Sequence, residues 1–125
     1  MRTLIDSHVL VWALLSPERL SATAERVLGD PSTVILVSYA SAWELSIKAR
    51  RLRLDPVGRF LEKGMRELAA MWLPIEIRHI AVVPDLPPVH RDPFDRILVA
   101  QAICEQLPLI TSDSTLARYP IPVIW

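Results

Sequence analysis

Apolar residues in this chain come either in short runs of four or five or at helical spacing over longer stretches, and the two patterns alternate. Thr3 to Asp6 predicts a strand, and His8 to Leu15, apolar at Val11, Trp12, Leu14 and Leu15, predicts a buried helix stopped by Pro17. Ser21 is placed to cap a second helix ending near Leu28, with Gly29, Asp30 and Pro31 as its stop. Val34 to Val37 is a continuous apolar run of the kind found in strands buried on both faces. A third helix opens at Ser38 to Ser41 and reaches about Arg51. Asp55 followed by Pro56 predicts an N-cap with proline at the first helical position, and Gly64 is expected to break that fourth helix into two pieces. Trp72 to Glu76 and Ile80 to Val83 suit strand or helix equally, and Pro84, Pro87 and Pro88 mark the longest irregular connection. Asp92 and Pro93 repeat the cap signal before Phe94 to Gln106, a helix apolar on nearly all sides. Pro108 to Thr111 and Val123 to Trp125 complete the predicted strands. Strands alternating with helices predict one α/β domain over residues 1–125, three layers deep, with a central, mainly parallel sheet.

Composition narrows this picture. In 125 residues, 51% are hydrophobic, 22% are charged and only 3 are glycine, which excludes intrinsic disorder and fibrous repeats. Fourteen basic and fourteen acidic side chains cancel, so any attraction to a polyanion must come from local patches. The lone Cys104 has no partner for a disulfide or a thiolate zinc site and reads as a small buried hydrophobe in its helix. Asp6, Ser7 and His8 interrupt the apolar N-terminus, and no apolar run approaches the roughly 18 residues of a membrane span. The expectation is a cytoplasmic protein without a membrane segment.

Candidate chemistry lies in the acids. Parallel sheets bind ligands at the carboxyl ends of their strands. Asp6 closes the first predicted strand and Asp113 follows the predicted strand Pro108 to Thr111; Asp95 stands in the first turn of the apolar helix and Glu44 near the start of the third helix. Taken singly, each has a simple structural role: Asp6 and Asp113, like Asp92, as helix caps contributing about 1 kcal/mol apiece, Asp95 as the third position of a capping arrangement, and Glu44 as an ion pair with Lys48. Four carboxylates gathered at one end of a sheet would repel one another and lose hydration, a cost that a divalent cation removes. An all-oxygen ligand set points to Mg²⁺ or Mn²⁺ rather than zinc.

At these positions the chain resembles the PIN-domain nucleases, most closely the VapC-type ribonuclease toxins of type II toxin–antitoxin modules. The resemblance runs through Leu4-Ile5-Asp6-Ser7-His8, Ser38 with Ser41-Ala42-Trp43-Glu44-Leu45, the block from His90 to Ala102 containing Asp92-Pro93-Phe94-Asp95-Arg96, and Thr111-Ser112-Asp113. It implies a PIN-like fold and cleavage of RNA phosphodiester bonds with Mg²⁺ or Mn²⁺, the catalytic and metal-binding quartet falling on Asp6, Glu44, Asp95 and Asp113. Ser7, Thr111 and Ser112 would be supporting polar groups, and Asp92 a helix cap. It also implies inhibition by a small cognate antitoxin and a homodimer. A second carboxylate often follows the fourth acid in this family, but here Asp113 is followed by Ser114.

Half of the basic residues fall within residues 48–66, so Lys48, Arg50, Arg51 and Arg53 are candidate RNA contacts. Arg96 is a candidate for substrate phosphate or for an ion pair with Asp92. His8 and His90 suit hydrogen-bonding roles beside a carboxylate site, and His79 has no partner signal. The four tryptophans, Trp12, Trp43, Trp72 and Trp125, suit core or interface positions. Two other functions compete: a metal-dependent phosphatase, which shares a strand-ending aspartate but expects an acid where His8 stands, and a catalytically silent module binding RNA or an antitoxin.

Overall fold

The computed structural model describes Met1–Trp125. Strands β1 (Arg2–Ile5), β2 (Val34–Ser38), β3 (Met71–Leu73), β4 (Leu109–Ile110) and β5 (Val123–Ile124) form one sheet in the order β3-β2-β1-β4-β5. Every pairing is parallel. The helices are α1 (Ser7–Leu15), α2 (Ala22–Gly29), α3 (Tyr39–Leu52), α4 (Val57–Glu67), α5 (Ile77–Val82) and α6 (Pro93–Glu105).

Side chains along a strand alternate between faces, and this alternation divides the core. Leu4, Leu36, Leu73 and Leu109 face one side and pack with Leu98, Val99 and Ala102 of α6; Ile5, Ile35, Val37 and Ile110 face the other and pack with Val9, Leu10, Ala24, Leu45 and Ala49 of α1 to α3. The architecture is therefore α/β/α, with apolar groups required on both faces of each central strand.

The caps at Ser21 and Asp92 stand where the sequence places them, and Ser38, where the third helix is expected to open, caps it as well. The Ser21 hydroxyl accepts from Ala24 N–H at 3.0 Å, Ser38 from Ala40 N–H at 3.0 Å, and Asp92 from Phe94 N–H at 2.8 Å. The cap expected at Asp55 is absent: α4 starts at Val57 after Pro56, without a side-chain cap. Nor does Gly64 break α4, which runs unbroken to Glu67. Gly64 is buried, and a Cβ there would lie 2.7 Å from Leu14 Cδ1 and 3.2 Å from Leu10 Cδ1. The missing side chain lets α4 approach α1. Gly64→Val is expected to cost about 1–3 kcal/mol through overpacking, read as a lower denaturation midpoint. In Gly64→Ala the gain in helix propensity offsets the clash, and the midpoint should hardly move.

The ambiguous stretch near Trp72 resolves into the short strand β3. That near Ile80 lies in helix α5, followed by a 3₁₀ turn at Val83–Asp85, so the irregular connection is shorter than the prolines suggest. Fully buried His79 explains why α5 forms: its Nδ1 accepts from Glu76 N–H at 3.0 Å while the Glu76 side chain caps the helix in return. Cys104 is only half-buried, contrary to the expectation of a core thiol, because it lies toward the α5 edge with Sγ 3.6 Å from Arg78 O. No helix is long and apolar enough to cross a membrane.

Candidate active site

The chain leaves central β1 for β2 on one side and reaches β4 on the other, so the strand order reverses at β1, where a crevice opens at the carboxyl ends. Asp6 follows β1 at this point, its N–H bonded to Ile110 O at 3.2 Å. Thr111, Ser112 and Asp113 follow β4. Ser38 turns β2 into α3, whose second turn carries Glu44, and Asp92 starts α6 so that Asp95 falls in its first turn. All four acids line one cavity of about 560 Å³, together with Ser7, His8, Trp12, Arg19, Lys48 and Ser112.

Most of the carboxylate oxygens are already held. Asp6 Oδ1 accepts from Val9 N–H at 2.8 Å, capping α1, and Oδ2 accepts from the buried Thr111 hydroxyl. Thr111 Oγ1 in turn accepts from Asp113 N–H at 3.1 Å, linking the ends of β1 and β4. Glu44 takes a hydrogen bond from Ser7 Oγ and an ion pair from Lys48 Nζ, both at 2.7 Å. Asp113 Oδ1 accepts from Thr115 N–H at 2.9 Å. Asp95 has no such capping bond, and His90 Nε2 stands 3.2 Å from its Oδ2 and 3.6 Å from Asp113 Oδ2. A carboxylate can thus cap a helix and face the cleft at once, since each oxygen carries two lone pairs.

Electrostatics single out two of these groups. Burial pushes the Asp95 carboxyl up to about 7, helped by the charges of Asp92, Glu44 and Asp6 and opposed by His90. Burial also raises Asp6, against the lowering effect of its bonds from Thr111 and Val9. Two carboxylates that resist ionisation beside two further acids form a site short of positive charge, and its hard oxygen donors fit a hard divalent cation. By distance alone, His90, Asp95 and Asp113 present ligand atoms within 4.8 Å of one another. Glu76, His79 and Glu105 do so as well, but Arg78 pairs with both glutamates and neutralises that group, which joins α5 to α6.

Of the expected basic contacts, only Lys48 enters the cleft; Arg50, Arg51 and Arg53 lie near the end of α3 and do not line it. Arg96 contacts neither Asp92 nor the cavity. Its guanidinium donates to the carbonyls of Val83 at 3.0 Å, Pro87 at 3.1 Å and His90 at 3.3 Å, and to the Tyr119 hydroxyl at 3.3 Å. It clasps the loop before α6. Arg96→Ala is expected to lower stability by about 1–3 kcal/mol without changing RNA affinity, and Arg96→Lys should recover little because lysine lacks the planar fork. Thermal melts and filter binding check both points.

Sequence reasoning passed over Arg19 and gave Trp12 only a packing role. Arg19 lies 4.6 Å above the Trp12 ring, and Trp12 sits 6.0 Å from Trp125, so a cationic and aromatic wall stands beside the acids. The spacing of seven residues across a helix end gave little sign of it.

A PIN domain family model matches residues 3–122. The chain belongs to the PIN domain family. Ribonuclease VapC22 of Mycobacterium tuberculosis, a VapC-type relative, is 31% identical to this PIN chain over 129 residues, covering 98% of it and 97% of the relative. Two solved structures share the fold. One is VapBC2 from Rickettsia felis bound to a DNA fragment from its promoter, with a TM-score of 0.76 at 13% identity over 98% of this chain and 97% of the other. The second is a toxin–antitoxin complex from Klebsiella pneumoniae, with a TM-score of 0.59 at 19% identity over 98% and 96%.

Proposed function

We propose that this PIN-domain protein is a VapC-type endoribonuclease toxin that hydrolyses RNA phosphodiester bonds with Mg²⁺ or Mn²⁺ and is held inactive by a cognate antitoxin. The observation that carries the proposal is the meeting of Asp6, Glu44, Asp95 and Asp113 in one cleft, although they are spread over more than a hundred residues of chain.

Asp6, Glu44, Asp95 and Asp113 would hold the ion, directly or through water. When bound, it supplies Lewis acidity that activates water and stabilises charge on the scissile phosphate. Thr111 and Ser7 fix the Asp6 and Glu44 carboxylates before any ligand arrives, which lowers the reorganisation needed at the reaction step. Ser112, exposed on the rim, is free to bond the RNA backbone. Lys48, on the wall of the cleft, balances Glu44 and offers N–H donors to a phosphate, while Arg50, Arg51 and Arg53 extend the positive charge beyond the cleft. Arg19 and Trp12, which also line the cleft, would contact a phosphate and a base.

RNA incubated with purified protein in Mg²⁺, Mn²⁺ or EDTA tests this reading, with cut sites mapped by sequencing fragment 5′ ends. Cleavage in both metals and none in EDTA supports it. Hydrolysis of a small phosphomonoester without RNA cleavage would replace it by a phosphatase, and RNA binding without cleavage in any divalent metal by a silent binding module.

The antitoxin follows from the VapC-type relationship and from the kind of complex formed by the VapBC neighbours. We also propose a homodimer, for which α3 offers an apolar face. Tyr39, Trp43 and Ile47 are exposed at four-residue spacing on α3, and Trp43, 62% exposed, meets Phe94 edge-on at 5.2 Å beside an apolar groove lined by Ile75, Ile80 and Ile97. Trp43→Asp is expected to convert a dimer to a monomer in light scattering while leaving the circular dichroism spectrum unchanged.

A further inference from the structure

We infer that His90 is a positioning residue that bridges Asp95 and Asp113 and so limits the acidic cleft to a single divalent ion. The inference rests on the metal-dependent reading above and deepens it. His90 is fixed at both ends of its residue: its backbone N–H donates to the Tyr119 hydroxyl at 3.0 Å, and its carbonyl accepts from Arg96 at 3.3 Å. The ring is fixed too, because Nδ1 accepts a hydrogen bond from Asp92 N–H at 3.0 Å. A neutral imidazole that accepts at Nδ1 carries its proton on Nε2, which leaves no lone pair there for a cation. Nε2 stands at ion-pair distance from both carboxylates, 3.2 Å from Asp95 Oδ2 and 3.6 Å from Asp113 Oδ2. His90 therefore acts on the carboxylates rather than joining them as a ligand.

The arrangement of the facing oxygens agrees with one ion. The oxygens of Asp6 and Glu44 and Asp113 Oδ1 each accept one hydrogen bond or ion pair, from Val9, Thr111, Ser7, Lys48 and Thr115, and keep a lone pair for a cation, whereas the His90 ring stands within 3.6 Å of the Oδ2 atoms of both Asp95 and Asp113. A second ion, about 3.5–4 Å from the first, would draw on Asp95 and Asp113 at their facing oxygens, where the imidazole N–H already stands. Asp113 is flanked by Ser112, Ser114 and Thr115, so its loop offers no further carboxylate.

Titration with Mn²⁺ at pH 7.5, followed by calorimetry and electron paramagnetic resonance, tests the inference. The wild type should bind one Mn²⁺ per chain and show no nitrogen coupling from a directly bound imidazole. His90→Ala should bind two, and His90→Gln, which restores an N–H donor, should return to one. Two ions in the wild type, one ion in His90→Ala, two in His90→Gln, or nitrogen coupling in the wild type would each overturn the role given to His90. Failure of the wild type to bind any Mn²⁺ would instead overturn the metal-dependent reading beneath it.

Discussion

Asp6→Asn and Asp95→Asn are each expected to reduce RNA cleavage by about a thousandfold or more, which at about 1.4 kcal/mol per factor of ten corresponds to about 4 kcal/mol of lost transition-state stabilisation. Both substitutions remove one negative charge at nearly constant shape. In Asp6→Asn the new side chain would still cap α1, since asparagine serves as well as aspartate at an N-cap, and its amide nitrogen would donate to Thr111 Oγ1 in place of accepting from it. The fold should therefore survive while the charge that holds the cation is lost. Initial rates on a fixed RNA, with circular dichroism as the control, give the measurement. Activity within tenfold of wild type in both variants would remove these carboxylates from the chemistry.

Asp95→Asn should also stabilise the metal-free protein. The Asp95 carboxyl rises from its ordinary value of 3.8 to about 7 on folding, chiefly because it is buried and then because of Asp92. Below about pH 4 both the folded and the unfolded chain are protonated at this residue, and no difference arises. Between about pH 4 and 7 the unfolded chain ionises while the folded one does not, so stability falls as pH rises. Above about pH 7 the full penalty stands, at most about 4 kcal/mol, and Asp6, raised in the same direction, adds to it. In EDTA at pH 8, Asp95→Asn should melt several degrees above wild type, with little difference at pH 4. Adding Mn²⁺ should raise the wild-type midpoint and leave that of Asp95→Asn nearly unmoved. A variant that melts at or below wild type across the range in EDTA would show that Asp95 carries no such strain.

The stability gained and the activity lost in one substitution have one physical origin. Desolvated, mutually repelling acids are costly to keep in a fold, and the cost persists where a ligand compensates it. That logic is legible in the chain itself, because Asp6 and Asp113 stand after strands, Asp95 in the first turn of its helix and Glu44 one turn further along its own, near where a parallel sheet gathers its chain reversals. The caps at Ser21 and Asp92, the opening of α3 at Ser38 and the apolar runs of β1, β2 and β4 are legible too, since each depends on neighbours within a few residues.

Contacts between distant residues are not. Gly64 looks like a helix breaker until Leu10 and Leu14 of another helix are set against it. His79 has no local partner other than the Glu76 backbone, and its second contact, with Glu105 at 3.2 Å, is twenty-six residues away. Arg96, close to two acidic residues in sequence, points instead at four oxygen atoms of the preceding loop and of Tyr119, a use of arginine that spacing does not encode. β3 is only three residues long and ends just before Pro74, too short for its alternation to be read.

Anomalous diffraction from crystals soaked in Mn²⁺ tests the central claim most directly. The account predicts a strong peak in the cleft, within coordination distance of Asp95 and reached directly or through water by Asp6, Glu44 and Asp113. A cleft without a peak, or a peak only at Glu76, His79 and Glu105, would contradict it.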